Sequence, residues 1–319
     1  MANQWIQFQH GMSLPEFLKA FGTQAQCEET LRRARWPMGF ECPSCGAVEH
    51  WVVRSGARQL YQCGRCRHQT SLTAGTMMAN TKLPLTTWFL AIYLISQAKT
   101  GLSALALKRQ IGVSYPTAWL MHHKIMAAMA EADDRDRLEN WVQLDDAYLG
   151  GERPLVEGEA GRGSPNKVPF VAAVSLNDEG HPIHLKLSPV SGFSSTAIAE
   201  WAARSLMPGT VVRSDGLACF AAVTDAGCVH VPTVVGQKKP RDLPQFRWVN
   251  TVLGNVKRSL GGAHHAFKFA KYARTYLAAY AYRFNRRFDL TDLVIKLLVD
   301  VIRSPALTEK KVRKAEHRF

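Results

Sequence analysis

The stretch Trp141-Val142-Gln143-Leu144-Asp145-Asp146-Ala147-Tyr148-Leu149-Gly150-Gly151 is a β-prone run that meets two adjacent carboxylates and then a pair of glycines. Aromatic and β-branched side chains suit a pleated, half-buried surface. The run therefore reads as a strand closed by Asp145. Residues 152–166 are polar and glycine-rich and read as an exposed loop. Two apolar runs follow, Val168–Leu176 and Ile183–Val190, joined by the turn residues Asn177-Asp178-Glu179-Gly180. That is a hairpin signal. Ser194–Leu206 reads as a helix capped by Ser194 or Ser195, and Thr210–Ser214 as a strand ending at Asp215-Gly216. Val229–Val235 is a further strand, and residues 248–261 and 270–285 are helical.

Strand, hairpin, helix, strand, short strand and long helix, in that order, predict a mixed α/β sheet of ribonuclease H-like fold. Chemistry in α/β sheets gathers at the carboxyl ends of strands, which singles out Asp145 and Asp215. Two such carboxylates on adjacent strands could hold divalent metals. Neighbouring strand residues face opposite sides, so only one of Asp145 and Asp146 is expected to face the metals, and spacing alone leaves open which. On the long helix Val249, Val252, Leu253, Val256 and Leu260 form an apolar stripe. Asn250 and Lys257 flank it, almost two whole turns apart, so both point the same way about 10 Å from each other. An amide oxygen can ligate a hard cation, and a lysine two turns along can grip a phosphate. Taken singly, each has a plainer reading: a turn aspartate, a solvated asparagine. Their joint order, with 35 positions from Asp215 to Asn250, favours the metal site.

Upstream lie two matched knuckles, Cys42-Pro43-Ser44-Cys45 and Cys63-Gly64-Arg65-Cys66, with 17 residues between them. That spacing predicts a four-thiolate zinc site, structural because no coordination position stays open. Gly46 and Gly64 stand where a positive φ is useful. The runs Trp51–Arg54 and Gln59–Gln62, turning at Ser55-Gly56, complete a zinc ribbon. Cys27, Cys219 and Cys228 lack such spacing and read as small buried side chains. Ahead of the ribbon, Ser13-Leu14-Pro15-Glu16 and Thr23-Gln24-Ala25-Gln26 are capping-box patterns of two helices. Behind it, residues 84–130 are helical. Ser103 can cap one short helix, Gly112 sits in a turn, and Ser114 caps a second with Pro116 in its first turn. This predicts a helix-turn-helix, with Tyr115 and Thr117 near DNA bases. A plain packing hairpin is the competing reading.

Forty Lys+Arg against 26 Asp+Glu leave a net charge of +14. A surplus of that size implies a polyanionic partner, with double-stranded DNA foremost. Lys238, Lys239, Arg241 and Arg247, just ahead of the long helix, suit a DNA backbone, as do Arg258 and His265. No apolar run approaches the ~20 residues of a membrane span. The first residues lack the pattern of a secretory signal, so a cytoplasmic location is expected. The expected organisation is an N-terminal helical segment (1–37), the ribbon (38–70), a helical DNA-binding region (71–135), the catalytic domain (136–290) and a basic C-terminal tail (291–319), loosely ordered from Arg303.

At these residues the chain resembles a group of bacterial insertion-sequence transposases: zinc ribbon, helical DNA-binding region, then a DDE-type catalytic domain. The resemblance covers about residues 13–290. It is most specific at the ribbon, at Leu144–Gly151, at Arg213-Ser214-Asp215-Gly216, and from Trp248-Val249-Asn250 through Lys257, Gly262 and His265. Many relatives carry Glu at the third acidic position. Here it is Asn250, similar to a branch with an Asp-Asp-Asn-Lys set. The resemblance thus implies Asp145, Asp215, Asn250 and Lys257 as catalytic residues, with Mg²⁺ or Mn²⁺ beside structural Zn²⁺. It implies cleavage at transposon ends, strand transfer into target DNA, and an oligomer that joins two ends. Two other functions stay open: a nuclease of the same fold without strand transfer, and an inactive DNA-binding regulator.

Overall fold

The computed structural model describes residues 10–55, 58–150, 167–236, 242–264 and 267–314. The chain forms two compact units, divided inside a helix at 128/129 and in non-helical connections around 98–103 and at 288/289.

Unit 1 comprises residues 1–98, 104–128 and 289–313. It opens with α1 (Leu14–Phe21) and α2 (Gln24–Arg35). Both expected capping boxes form: Ser13 pairs reciprocally with Glu16, and Thr23 with Gln26. Each box satisfies backbone N–H groups that a helix start leaves without partners. The ribbon is a three-stranded antiparallel sheet of β1 (His50–Ser55), β2 (Arg58–Cys63) and β3 (Gln69–Ser71). The short third strand had no sequence signal. Helices α3 (Leu85–Gln97), α4 (Ala104–Ile111) and α5 (Tyr115–Arg135) follow.

The first part of the expected basic tail, ahead of Arg303, is a helix. α9 (Leu293–Arg303) buries Leu293, Val294, Leu297, Leu298, Val301 and Ile302, and packs on α3 and α2. The basic composition of the last residues masked this stripe at helical spacing. A short helix, α10 (Glu309–Arg313), comes after it.

Unit 2 comprises residues 99–103, 129–288 and 314–319. Its sheet contains β4 (Trp141–Leu149), β5 (Val168–Leu176), β6 (Pro182–Pro189), β7 (Val211–Ser214) and β8 (Val229–Pro232), in the order β6-β5-β4-β7-β8. The first three strands are antiparallel; β7 and β8 add parallel to β4. This is the ribonuclease H-like arrangement expected from the sequence. On one face, Leu144, Val171, Ala173 and Val212 pack with Ile198 and Trp201 of α6 (Ser195–Ser205), and with Phe220 and Val223 of a 3₁₀ segment, Ala218–Ala226. Contacts to β4, β5 and β6 also come from α7 (Arg247–His264) and α8 (Phe269–Asn285). The Asn285 side chain accepts from the Leu185 N–H at 2.8 Å and donates to its carbonyl at 3.0 Å, so it occupies backbone groups of the edge strand. Such cover blunts edge pairing with other chains. Among the described residues, no helix is long and apolar enough to cross a membrane.

Candidate metal centres and DNA-facing elements

The ribbon's knuckles share one backbone design. The Gly46 N–H donates to the Cys42 carbonyl at 2.9 Å, and the Arg67 N–H to the Cys63 carbonyl at 3.2 Å. The fifth residue of each turn is left-handed: Gly46 at φ +72° and Arg67 at φ +61°. Gly64 does not take the positive φ expected of it. It permits close approach instead, since a Cβ there would lie 3.2 Å from the Glu49 Cβ and 3.3 Å from its carbonyl oxygen. The four sulfurs fall within 4.8 Å of one another. The Sγ atoms of Cys42 and Cys66, and of Cys45 and Cys63, are 3.6 Å apart. Thiolates around Zn²⁺ at ~2.3 Å stand about 3.8 Å apart in a tetrahedron, so the donor set fits that ion.

The acidic centre lies in unit 2. One carboxylate oxygen from each of Asp145, Asp146 and Asp215 falls within the same 4.8 Å limit, and all three residues are half-buried. Asp145 does not close its strand, because β4 continues beside β5 through Leu149↔Val168. What ends near Asp145 is the parallel ladder, whose last pair is Leu144↔Ser214. Asp215 follows directly, and its Oδ1 accepts the Leu217 N–H at 3.1 Å. The Asp146 N–H donates to Asp145 Oδ1 at 2.9 Å. The sequence left open which of the adjacent aspartates faces the metals; an oxygen of each lies within the cluster. Alternation still starts the two side chains on opposite faces, and beyond Leu144 the described residues give β4 no parallel neighbour.

Gln143 was not singled out by sequence, since a lone glutamine in an apolar run carries no motif. It is buried, and its Oε1 accepts the N–H groups of Trp248 and Val249, each at 3.0 Å. A helix start normally leaves such N–H groups without partners, so Gln143 both caps α7 and ties it to β4. Gln143 and Asp145, two residues apart, lie on one strand face, the face that receives α7. Val249, Val252, Leu253, Val256 and Leu260 are buried as the stripe predicted, while Asn250 and Lys257 are exposed. Arg247 and Arg258 are exposed as well, and the Arg258 guanidinium donates to Asn255 Oδ1 at 2.7 Å. At the far end of α7, burial and the nearby Arg283 charge push the His264 imidazole down to about 4.

In unit 1, α4 and α5 meet at Gly112, which has φ +68° and donates to the Lys108 carbonyl at 3.0 Å. Ser114 Oγ accepts the Thr117 N–H at 3.4 Å, a cap for α5. Tyr115 is exposed and Thr117 half-buried. The second helix is not short; it runs 21 residues. Lys238, Lys239, Arg241, His265 and the polar loop 152–166 lie outside the described residues.

Among known families, a transposase zinc-ribbon domain matches residues 22–69, and an ISXO2-like transposase domain matches residues 137–285. Two solved structures are similar to the chain. One is a pre-cleavage Mos1 transpososome, at 10% identity over 67% of this chain and 78% of that one, with a TM-score of 0.23. The other is the Mos1 strand transfer complex, at 11% identity over 69% and 79%, also with a TM-score of 0.23. No curated protein matches the chain. A ribbon and a transposase domain of one family, in this order and together spanning about three-fifths of the residues, assign the chain to the insertion-sequence transposases with an N-terminal zinc ribbon.

Proposed function

We propose that this transposase binds the ends of its element, cleaves a phosphodiester bond there and joins the freed 3′-hydroxyl to target DNA at a site built from Asp145, Asp215, Asn250 and Lys257. The observation that carries the reading is the convergence of Asp145 and Asp215, 70 positions apart, on one cluster of oxygen ligands. Hard oxygen donors suit Mg²⁺ or Mn²⁺. Two such ions, when bound, activate an attacking oxygen and stabilise a leaving one. Asp145 and Asp215 offer carboxylate oxygens to them, and Asn250, on the helix that Gln143 ties to β4, offers an amide oxygen. Lys257 neutralises phosphate about two turns along. In cleavage, water oxygen bonds to phosphorus, the P–O3′ bond breaks, and the 3′-oxygen leaves as hydroxyl. In joining, that hydroxyl attacks a target phosphorus and a target 3′-oxygen leaves, so neither step needs a protein-bound intermediate.

Double-stranded DNA is the partner that the charge supports. The zinc-loaded ribbon and the α4–α5 pair, through Tyr115 and Thr117, recognise the ends. Arg247, Arg258 and His265, with Lys238, Lys239 and Arg241, hold backbone phosphates, and affinity falls steeply with salt. Joining two ends calls for at least two copies of the chain.

The test is incubation of the purified chain with labelled DNA carrying the element's ends, with Mg²⁺ or Mn²⁺, beside Asp145→Ala and Asn250→Ala. Cleavage and joining by the wild type, lost in both variants, are expected. Cleavage without joining would reduce the protein to a nuclease. End binding without any cleavage would make it a regulator.

A further inference from the structure

Asp145 and Asp146 leave β4 on opposite faces. Gln143, two residues before Asp145, reaches α7. Leu144, two residues before Asp146, is buried in the core formed with α6 and the 3₁₀ segment. The Cys219 thiol in that segment is raised chiefly by burial, and the charges of Asp146 and Asp215 add to it. Asp146 therefore starts from the layer opposite to Asp145, yet carboxylate oxygens of both lie within 4.8 Å of one from Asp215.

The end of the parallel ladder accounts for this. Past Leu144↔Ser214 the described residues put no strand on that side of β4, and the chain leaves β7 through Gly216 at φ +87°. Side chains from both faces can then turn around one open edge. Like charges this close repel one another, and a divalent cation among them offsets that repulsion. Asp145, Asp215 and a neutral Asn250 bring two negative charges; a third carboxylate restores the charge of an all-acidic triad.

We propose that Asp146 is a ligand of the divalent-metal site and supplies the negative charge that Asn250 lacks. The inference rests on the reading that Asp145 and Asp215 hold the metal. The edge of the sheet, rather than helix α7, contributes the third acid.

The test is Mn²⁺ binding to the full-length, zinc-loaded protein, followed by loss of the free-ion electron paramagnetic resonance signal. Asp145→Asn, Asp215→Asn, Asp146→Asn and the double variant Asp146→Asn/Asn250→Asp are compared with the wild type. Asp146→Asn is expected to weaken Mn²⁺ binding at least ~10-fold, the lower end of what even outer-shell changes cost, with thermal melting unchanged. The double variant, which moves the carboxylate onto α7, is expected to regain most of that affinity. Asp146→Ser repeats the measurement should the asparagine variant not fold. Wild-type Mn²⁺ affinity in Asp146→Asn, with losses in Asp145→Asn and Asp215→Asn, would overturn the role of Asp146 and leave the proposed function standing. No Mn²⁺ binding by the wild type, or binding that none of the variants changes, would overturn both.

Discussion

The ribbon and the acidic centre each gather their ligand atoms within the same 4.8 Å, by opposite means. The ribbon's sulfurs come from two short turns, each closed by its own backbone hydrogen bond. The acidic centre draws on strands 70 positions apart and on the sheet order that makes β4 and β7 neighbours. Four thiolates leave no vacancy, which suits structure; the carboxylates are half-buried where the parallel ladder stops. A site made locally depends on its ion to exist. A site made by topology exists before any ion arrives.

Removing zinc breaks this comparison most severely. Chelation, or Cys63→Ser, is expected to unfold β1–β3, because binding worth roughly 10–16 kcal/mol holds such modules together. The measurement is zinc content alongside end-DNA binding, with both expected to be lost. Asp215→Ala is the counterpart in unit 2. It is expected to leave melting and end binding near wild type while cleavage falls by more than the ~100-fold that outer-shell changes cost.

His264 gives unit 2 a dependence on acid. Its folded value of about 4 lies below the usual 6.5, so the unfolded chain takes up the proton first. Stability is then lost as pH falls from 6.5 towards 4, by about 3 kcal/mol. Chemical denaturation across that range should show the slope, and His264→Gln should flatten it. Gln143→Ala leaves the buried N–H groups of α7 without their acceptor, at about 1–3 kcal/mol. The expected signature is a larger loss of cleavage than of Mn²⁺ binding, because α7 shifts while the aspartates stay. Thr23→Ala removes one capping box, lowers stability by ~1 kcal/mol and leaves both centres intact, as a melting curve and a zinc assay would report.

The same contrast governs what could be read from sequence. The knuckles, both capping boxes and the β5–β6 hairpin depend on neighbours within a few residues, and all were legible. The apolar stripe of α7 was legible by its period. The choice between Asp145 and Asp146 stayed open because alternation says nothing about where a neighbouring strand stops. Gln143 was invisible because its partners lie about 105 positions away. Arg67 took a left-handed conformation usually left to glycine, since the turn around Cys63 demands it whatever residue stands there. α9 was overlooked because its apolar stripe lies beside a run of basic residues and its partners are at the other end of the chain.

That last helix sets an order of manufacture. Because α9 packs on α2 and α3, the unit begun first is finished last, after residues 129–288 have already left the ribosome. A nascent chain can complete its catalytic sheet while the unit carrying the ribbon still lacks a wall. Translation that stops before Leu293 would release a polypeptide with an intact acidic centre and an exposed apolar face on α2 and α3, a natural substrate for proteolysis.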